Sequence, residues 1–149
     1  MFISYDFALF VAINLSCVTL NVRGLNNECK RSQVFRWLHG RKFQIVFLQE
    51  VYSSRDIEKM WSAEWGGKVV FCHGTKNSCR TLVLFHPSLN VDVEHVEVGK
   101  RGREIVLCYK IDDYRFAVIN VYVPNDVKTQ VGFFESLKLR IRKFADEKI

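Results

Sequence analysis

Two apolar strand-like runs frame the first fifty residues. From Ile13 to Val22 the chain is rich in β-branched and apolar side chains, and it breaks at Arg23-Gly24-Leu25-Asn26-Asn27, a turn-forming cluster. Lys30 to His39 then places Val34, Trp37 and Leu38 at helical spacing, with Gly40 where helices commonly end. Phe43 to Leu48 is apolar apart from Gln44, the run expected of a strand covered on both faces, and it stops at Gln49-Glu50. Strand, helix and buried strand in this order predict a βαβ unit.

The pattern then changes period twice. Ser53 or Ser54 can cap a helix whose apolar face is Ile57, Met60, Trp61 and Trp65, closed by Gly66-Gly67. Strands are predicted over Lys68–Cys72, Thr81–His86 (stopped by Pro87), Val91–Val98 and Glu104–Ile111, the last turning at Asp112-Asp113 into Tyr114–Val123. After Pro124-Asn125-Asp126 a helical period returns, with Val131, Phe134, Leu137, Ile141 and Ala145 on its apolar side. No repeat or linker divides the chain, so residues 13–149 read as one α/β unit with hairpins, and residues 1–12 as an apolar N-terminal extension. The extension has no basic residue ahead of its apolar part and carries Asp6, unlike a secretory leader, and it is too short to span a bilayer.

Composition sharpens this only in part. The 149 residues are 48% hydrophobic and 26% charged, which excludes a disordered chain and supplies material for a core. A net charge of +6 fits a phosphate-rich partner such as nucleic acid, and many ordinary proteins as well. Cys17, Cys29, Cys72, Cys79 and Cys108 form no CxxC pair and no zinc spacing with histidine. Cys17 and Cys108 sit in apolar runs as small hydrophobes, so an intracellular location, nuclear or cytoplasmic and not secreted, is expected, with no membrane association.

Polar residues of catalytic type stand at the ends of the strand-like runs: Asn21, Glu50, Tyr122 and Asn125. Ligand sites in open α/β sheets gather outside strand ends, so these four are expected to converge on one crevice. Arg23, Lys30, Arg31, Arg41 and Lys42 are candidate contacts to phosphate, each equally readable as a solvated surface charge.

The ordered series Leu20-Asn21-Val22-Arg23-Gly24-Leu25, Lys30-Arg31, Trp37-Leu38, Ile45-Val46-Phe47-Leu48-Gln49-Glu50, Trp61, Trp65-Gly66-Gly67, Phe71, His73-Gly74-Thr75, Leu82 to Phe85, Gly102-Arg103, Asn120-Val121-Tyr122-Val123-Pro124-Asn125-Asp126, Gln130 and Phe133-Phe134 resembles the endonuclease/exonuclease/phosphatase superfamily. Within it, the series most resembles the endonuclease domain of LINE-type (non-LTR) retrotransposons. The resemblance implies part of a four-layer sandwich of two mixed β-sheets flanked by helices, and hydrolytic nicking of DNA with magnesium, or manganese in its place. It makes Glu50 a metal ligand, Asn21 a group that positions metal or phosphate, and Tyr122 and Asn125 hydrogen-bond partners of the phosphate. Arg23 stands where abasic-site repair relatives look acidic, which favours the retroelement branch. His73 is expected to serve loop structure rather than catalysis, and Asn77-Ser78-Cys79-Arg80-Thr81 departs from the small-residue pattern of these relatives.

The family's Asp-x-Asn and Ser-Asp-His motifs, which supply general base and leaving-group functions, do not occur in this sequence. The chain is therefore expected to be the N-terminal portion of such a domain, inactive alone, and to expose an apolar sheet face through which it self-associates. Two other readings stay open: a catalytically dead module that binds nucleic acid or protein, and a phosphatase of the same superfamily acting on small phosphoesters.

Overall fold

The chain is described by a computed structural model over residues 14–73, 80–99 and 101–148, without the side chains of 146–148. The N-terminal extension, the Gly74-Thr75 pair and residues 77–79 of the departing segment lie outside these residues.

The predicted βαβ unit opens the fold. Strand β1 (Cys17–Asn21) pairs in parallel with β2 (Ile45–Gln49), and helix α1 (Glu28–Arg41) makes the crossover. Asn27 caps α1, its side-chain oxygen accepting the Lys30 N–H at 2.9 Å. β1 is shorter than the run from Ile13 to Val22, because its side chains alternate between exposed and half-buried at the edge of the sheet. Cys17 is exposed there, contrary to the expectation of a buried small hydrophobe. β2 is covered on both faces, as its unbroken apolar run requires.

A 3-10 turn over Arg55–Ile57 leads into α2 (Glu58–Trp65), which Gly66 ends. Strands β3 (Val69–Cys72) and β4 (Thr81–Phe85) then complete a four-stranded mixed sheet in the order β1-β2-β4-β3. The second sheet is an antiparallel meander of β5 (Val91–Val98), β6 (Glu104–Ile111) and β7 (Tyr114–Val121), followed by α3 (Val127–Lys148).

Side-chain alternation sorts the core into three seams, and these define four layers. Phe35 and Leu38 of α1 with Trp61 and Trp65 of α2 cover Val46, Leu48, Leu82 and Leu84 on the outer face of the first sheet. Ile45, Val83 and Phe85 point the other way, onto Ile105, Leu107, Tyr109 and Ile111 of the second sheet. Behind that sheet, Phe144 of α3 covers Val106 and Cys108. The architecture is thus the α/β sandwich expected, α-β-β-α.

Three helix faces differ from expectation. Trp37 is 46% exposed and lies against Phe43 and Arg41, because the covering row of α1 is Arg31, Phe35 and Leu38, one turn apart. Met60 is likewise exposed beside the buried Trp61. On α3 the face turned to the sheet carries Phe133, Leu137, Arg140 and Phe144, while Val131, Phe134 and Ile141 look outward. The two sheets cover one another's inner faces; among the described residues exposed large apolar side chains gather on the outer side of α3, at Val127, Val131, Phe134, Leu139 and Ile141, and on the second sheet at Val96, Val98 and Tyr114.

Candidate active site

β1 and β2 end side by side, and both chains leave the sheet through left-handed backbone. Arg23 has φ 47°, Gly24 88°, Glu50 56° and Tyr52 54°. A non-glycine residue in this region costs on the order of 1 kcal/mol, and such strain persists where the surroundings over-determine it. Here the parallel ladder continues past the strand ends: Val22 N–H donates to Gln49 O at 3.0 Å, Gly24 N–H to Glu50 O at 2.6 Å and Leu25 N–H to Val51 O at 3.1 Å. Gly24 is favoured by its φ, and the exposed Tyr52 ring, 3.3 Å from an added Cβ, would have to give by a few tenths of an ångström to admit one. The result is a rigid platform that presents Asn21 and Glu50 beyond the carboxyl ends of two parallel strands.

Tyr122 reaches the same point from the second sheet. Its hydroxyl donates to Glu50 Oε1 at 2.6 Å, and Asn21 Nδ2 donates to the same oxygen at 2.9 Å. Asn21 Oδ1 in turn accepts the Arg23 N–H at 3.1 Å, so its amide is fixed at both ends. These bonds, the tyrosine's foremost and then the asparagine's, hold the Glu50 carboxyl below the usual carboxylate range, and the charge of Arg23 adds to them. Glu50 is therefore ionised at neutral pH, with both donors on one oxygen and Oε2 left without a hydrogen-bond partner among the described residues.

The structure thus brings together Asn21, Glu50 and Tyr122, with Arg23 beside them. Asn125 is exposed in the turn before α3, and no hydrogen bond among the described residues joins it to this cluster. The basic candidates separate as well. Arg31 is buried at 3% exposure, donating to Glu64 at 2.6 Å and to Leu25 O at 3.1 Å, with its guanidinium over Trp61. It is a packing residue, not a phosphate contact. Lys30 donates its ammonium to Val22 O and Arg23 O at 2.6 and 3.1 Å, bracing the exit from β1. Arg41 and Lys42 precede β2, a strand's length of about 16 Å from Glu50.

Two amides that residue-type reasoning passed over hold the sheets in register at this end. Asn120 is 3% exposed; its Nδ2 donates to Leu48 O at 3.2 Å and to Leu82 O at 3.1 Å, and its Oδ1 accepts Gln49 Nε2 at 2.7 Å. Both residues interrupt apolar strands, and a buried amide in such a place must find partners. That was the available signal. Through them β7 is tied to β2 and β4 two residues before Tyr122. His73, left without a mechanism by the sequence, bonds Ser53 at 2.9 Å and Glu58 and stacks on Phe71, tying β3 to the start of α2.

No protein-family model matches this sequence. Over 123 residues, covering 83% of this chain and 9% of the relative, it is 33% identical to the "Transposon TX1 uncharacterized 149 kDa protein" of Xenopus laevis. Among solved structures, TDP2 of D. rerio, complexed with single strand DNA product, superposes with TM-score 0.65 at 14% identity, covering 91% of this chain and 56% of that one. The endonuclease domain of TRAS1, a telomere-specific non-LTR retrotransposon, superposes with TM-score 0.59 at 11% identity, covering 91% and 55%. The chain spans about half the length of these structures and about a tenth of the transposon protein. The fold is that of the endonuclease/exonuclease/phosphatase superfamily, to which these solved relatives belong, and the resemblance read from the ordered motifs holds.

Proposed function

We propose that this chain is the N-terminal part of a LINE-like endonuclease domain, whose Glu50 site binds one magnesium or manganese ion and a DNA phosphate. The observation that carries the reading is the Glu50 carboxylate, ionised and aimed by Asn21 and Tyr122 from the ends of three strands. The donor set fits magnesium. Among the described residues no three His, Cys, Asp or Glu side chains cluster, so one carboxylate oxygen is the protein's main offer. Magnesium is commonly held by one or two carboxylates, with water and substrate phosphate completing an octahedron. Bound there, the metal supplies Lewis-acid stabilisation of charge on phosphate oxygens.

The chain's own residues do the rest. Glu50 Oε2 would hold the ion, and Asn21 keeps the carboxylate from rotating. Arg23 adds positive charge beside the phosphate. The Tyr122 hydroxyl is a donor that can pass from Glu50 to a phosphate oxygen, a bond that strengthens as negative charge develops in the transition state. DNA binding draws support from the TDP2 and TRAS1 likenesses and from the net charge of +6.

General base and leaving-group catalysis need further groups, and the sequence holds neither Asp-x-Asn nor Ser-Asp-His. Loss of one acid/base group typically costs about 10² to 10⁴ in rate, so this polypeptide binds DNA and metal but cuts negligibly. Supercoiled plasmid incubated with magnesium should stay supercoiled at the rate of the buffer control. Robust nicking that Glu50→Ala abolishes would overturn the inactivity while upholding the site.

A further inference from the structure

A cationic cleft opens between the loop joining β5 to β6 and the first turns of α3, next to the Tyr122 ring. It has a volume of about 450 Å³, and Arg101, Arg103, Glu104, Lys128 and Arg140 line it together with Pro124, two residues past Tyr122. Arg140 is spoken for, its Nη1 lying 2.8 Å from Glu104 Oε1. Arg101 and Lys128 have no ion-pair partner among the described residues. Arg103 is more unusual. Its Nη1 is closed off from solvent and has no hydrogen-bond acceptor among the described residues, while the guanidinium lies 5.3 Å from the centroid of the Tyr122 ring and its carbonyl accepts the Tyr122 N–H at 2.7 Å.

Nη1 itself is closed to a ligand where it stands; Arg103 meets the cleft through its other atoms, as one of the residues that line it. Arg101, Lys128 and Arg103 itself are three cations without an ion-pair partner among the described residues; together they select a multiply charged oxyanion, and the planar guanidinium fork suits phosphate. The tyrosine links the cleft to the site already described: its hydroxyl touches Glu50 and its ring carries Arg103. We infer that this cleft is a second phosphate subsite, which takes a backbone phosphate flanking the one held at Glu50 on the same polynucleotide strand. The inference rests on the proposed reading of Glu50 as the reacting-phosphate site.

The test is anisotropy of a labelled single-stranded DNA oligonucleotide in EDTA, between about 50 and 200 mM salt. A double variant, Arg101→Gln with Lys128→Gln, should weaken binding about tenfold and lower the slope of log K against log salt by about 1.4, since each phosphate contact on a single strand contributes about 0.7. The double variant Arg36→Gln with Lys59→Gln, exposed positions on α1 and α2 with the same charge removed, should leave the slope and affinity near the wild-type values. Arg103→Lys, which keeps the charge and loses the fork, should weaken binding with the slope retained. Equal losses in the two double variants would overturn the subsite, because net charge alone would then explain them. Absence of wild-type DNA binding would overturn it too. Displacement of DNA by inorganic phosphate at equimolar rather than large excess concentration, at matched ionic strength, would reassign the cleft to a free anion. Failure of the Glu50 reading shows separately, as loss of manganese binding in calorimetry without DNA, a readout the cleft variants leave unchanged.

Discussion

Glu50 receives both of its hydrogen bonds on one oxygen, and that asymmetry sets what the residue can do. With Oε1 held by Tyr122 and Asn21, the carboxylate neither rotates nor takes up a proton near neutrality, and Oε2 remains for a hard cation. The sign of the pH dependence follows. A carboxyl whose pKa is lowered on folding contributes stability above its unfolded value, near pH 4.3, and that contribution is lost as pH falls through the folded value. Manganese affinity should therefore stay flat through neutral and mildly acidic pH and fall only below the ordinary carboxylate range. Tyr122→Phe removes the largest cause of the shift, so the fall should move to higher pH. Calorimetric affinity measured across pH checks this, and an unmoved profile would contradict the assigned role of the hydroxyl. Asn120 makes a second prediction at this scale. Asn120→Ala takes a buried donor from Leu48 O and Leu82 O and one of three acceptors from Gln49 Nε2, and should cost about 3 kcal/mol in urea unfolding, given about 1 to 3 kcal/mol per unsatisfied group.

Among the elements, α3 separates what periodicity reveals from what it cannot. The helix carries two apolar stripes, one through Val131, Phe134 and Ile141 and another through Phe133, Leu137 and Phe144. Spacing proves a helix here but does not rank its faces. The choice is made by the partner: Val106 and Cys108 on the back of β6 receive Phe144. Phe144→Ala should accordingly cost about 3 kcal/mol and speed hydrogen exchange along α3, whereas Phe134→Ala should be near neutral. Similar costs for the two would mean that the wrong face has been assigned to the sheet. β2 shows the opposite case. Its unbroken apolar run could only suit a strand covered on both sides, and the βαβ unit, the two buried tryptophans and the Asp112-Asp113 hairpin followed with little ambiguity. The meeting of Asn21 and Glu50 was legible from strand ends, because the parallel β1 and β2 deliver their carboxyl ends to one edge; Tyr122 arrives from the antiparallel second sheet, and Asn125, read with them, stays apart. Arg31 was not, since an arginine that stacks on a tryptophan and pairs with Glu64 looks like any surface cation in sequence.

Taken whole, the molecule has its sheets packed face to face, with exposed apolar side chains at Val127, Val131, Phe134, Leu139 and Ile141 along the outside of α3. Self-association is proposed to run through this stripe. Sedimentation of the wild type should then show concentration-dependent association, and Val131→Asp with Phe134→Asp should abolish it without a change in circular dichroism; a wild-type monomer at all concentrations would contradict the proposal. A strained strand-end platform is proposed to present one ionised carboxylate, that of Glu50, to a metal. Calorimetric titration of the intact chain with manganese tests it most directly. The account predicts one site in the wild type and none in Glu50→Gln, while indistinguishable isotherms for the two proteins would contradict it.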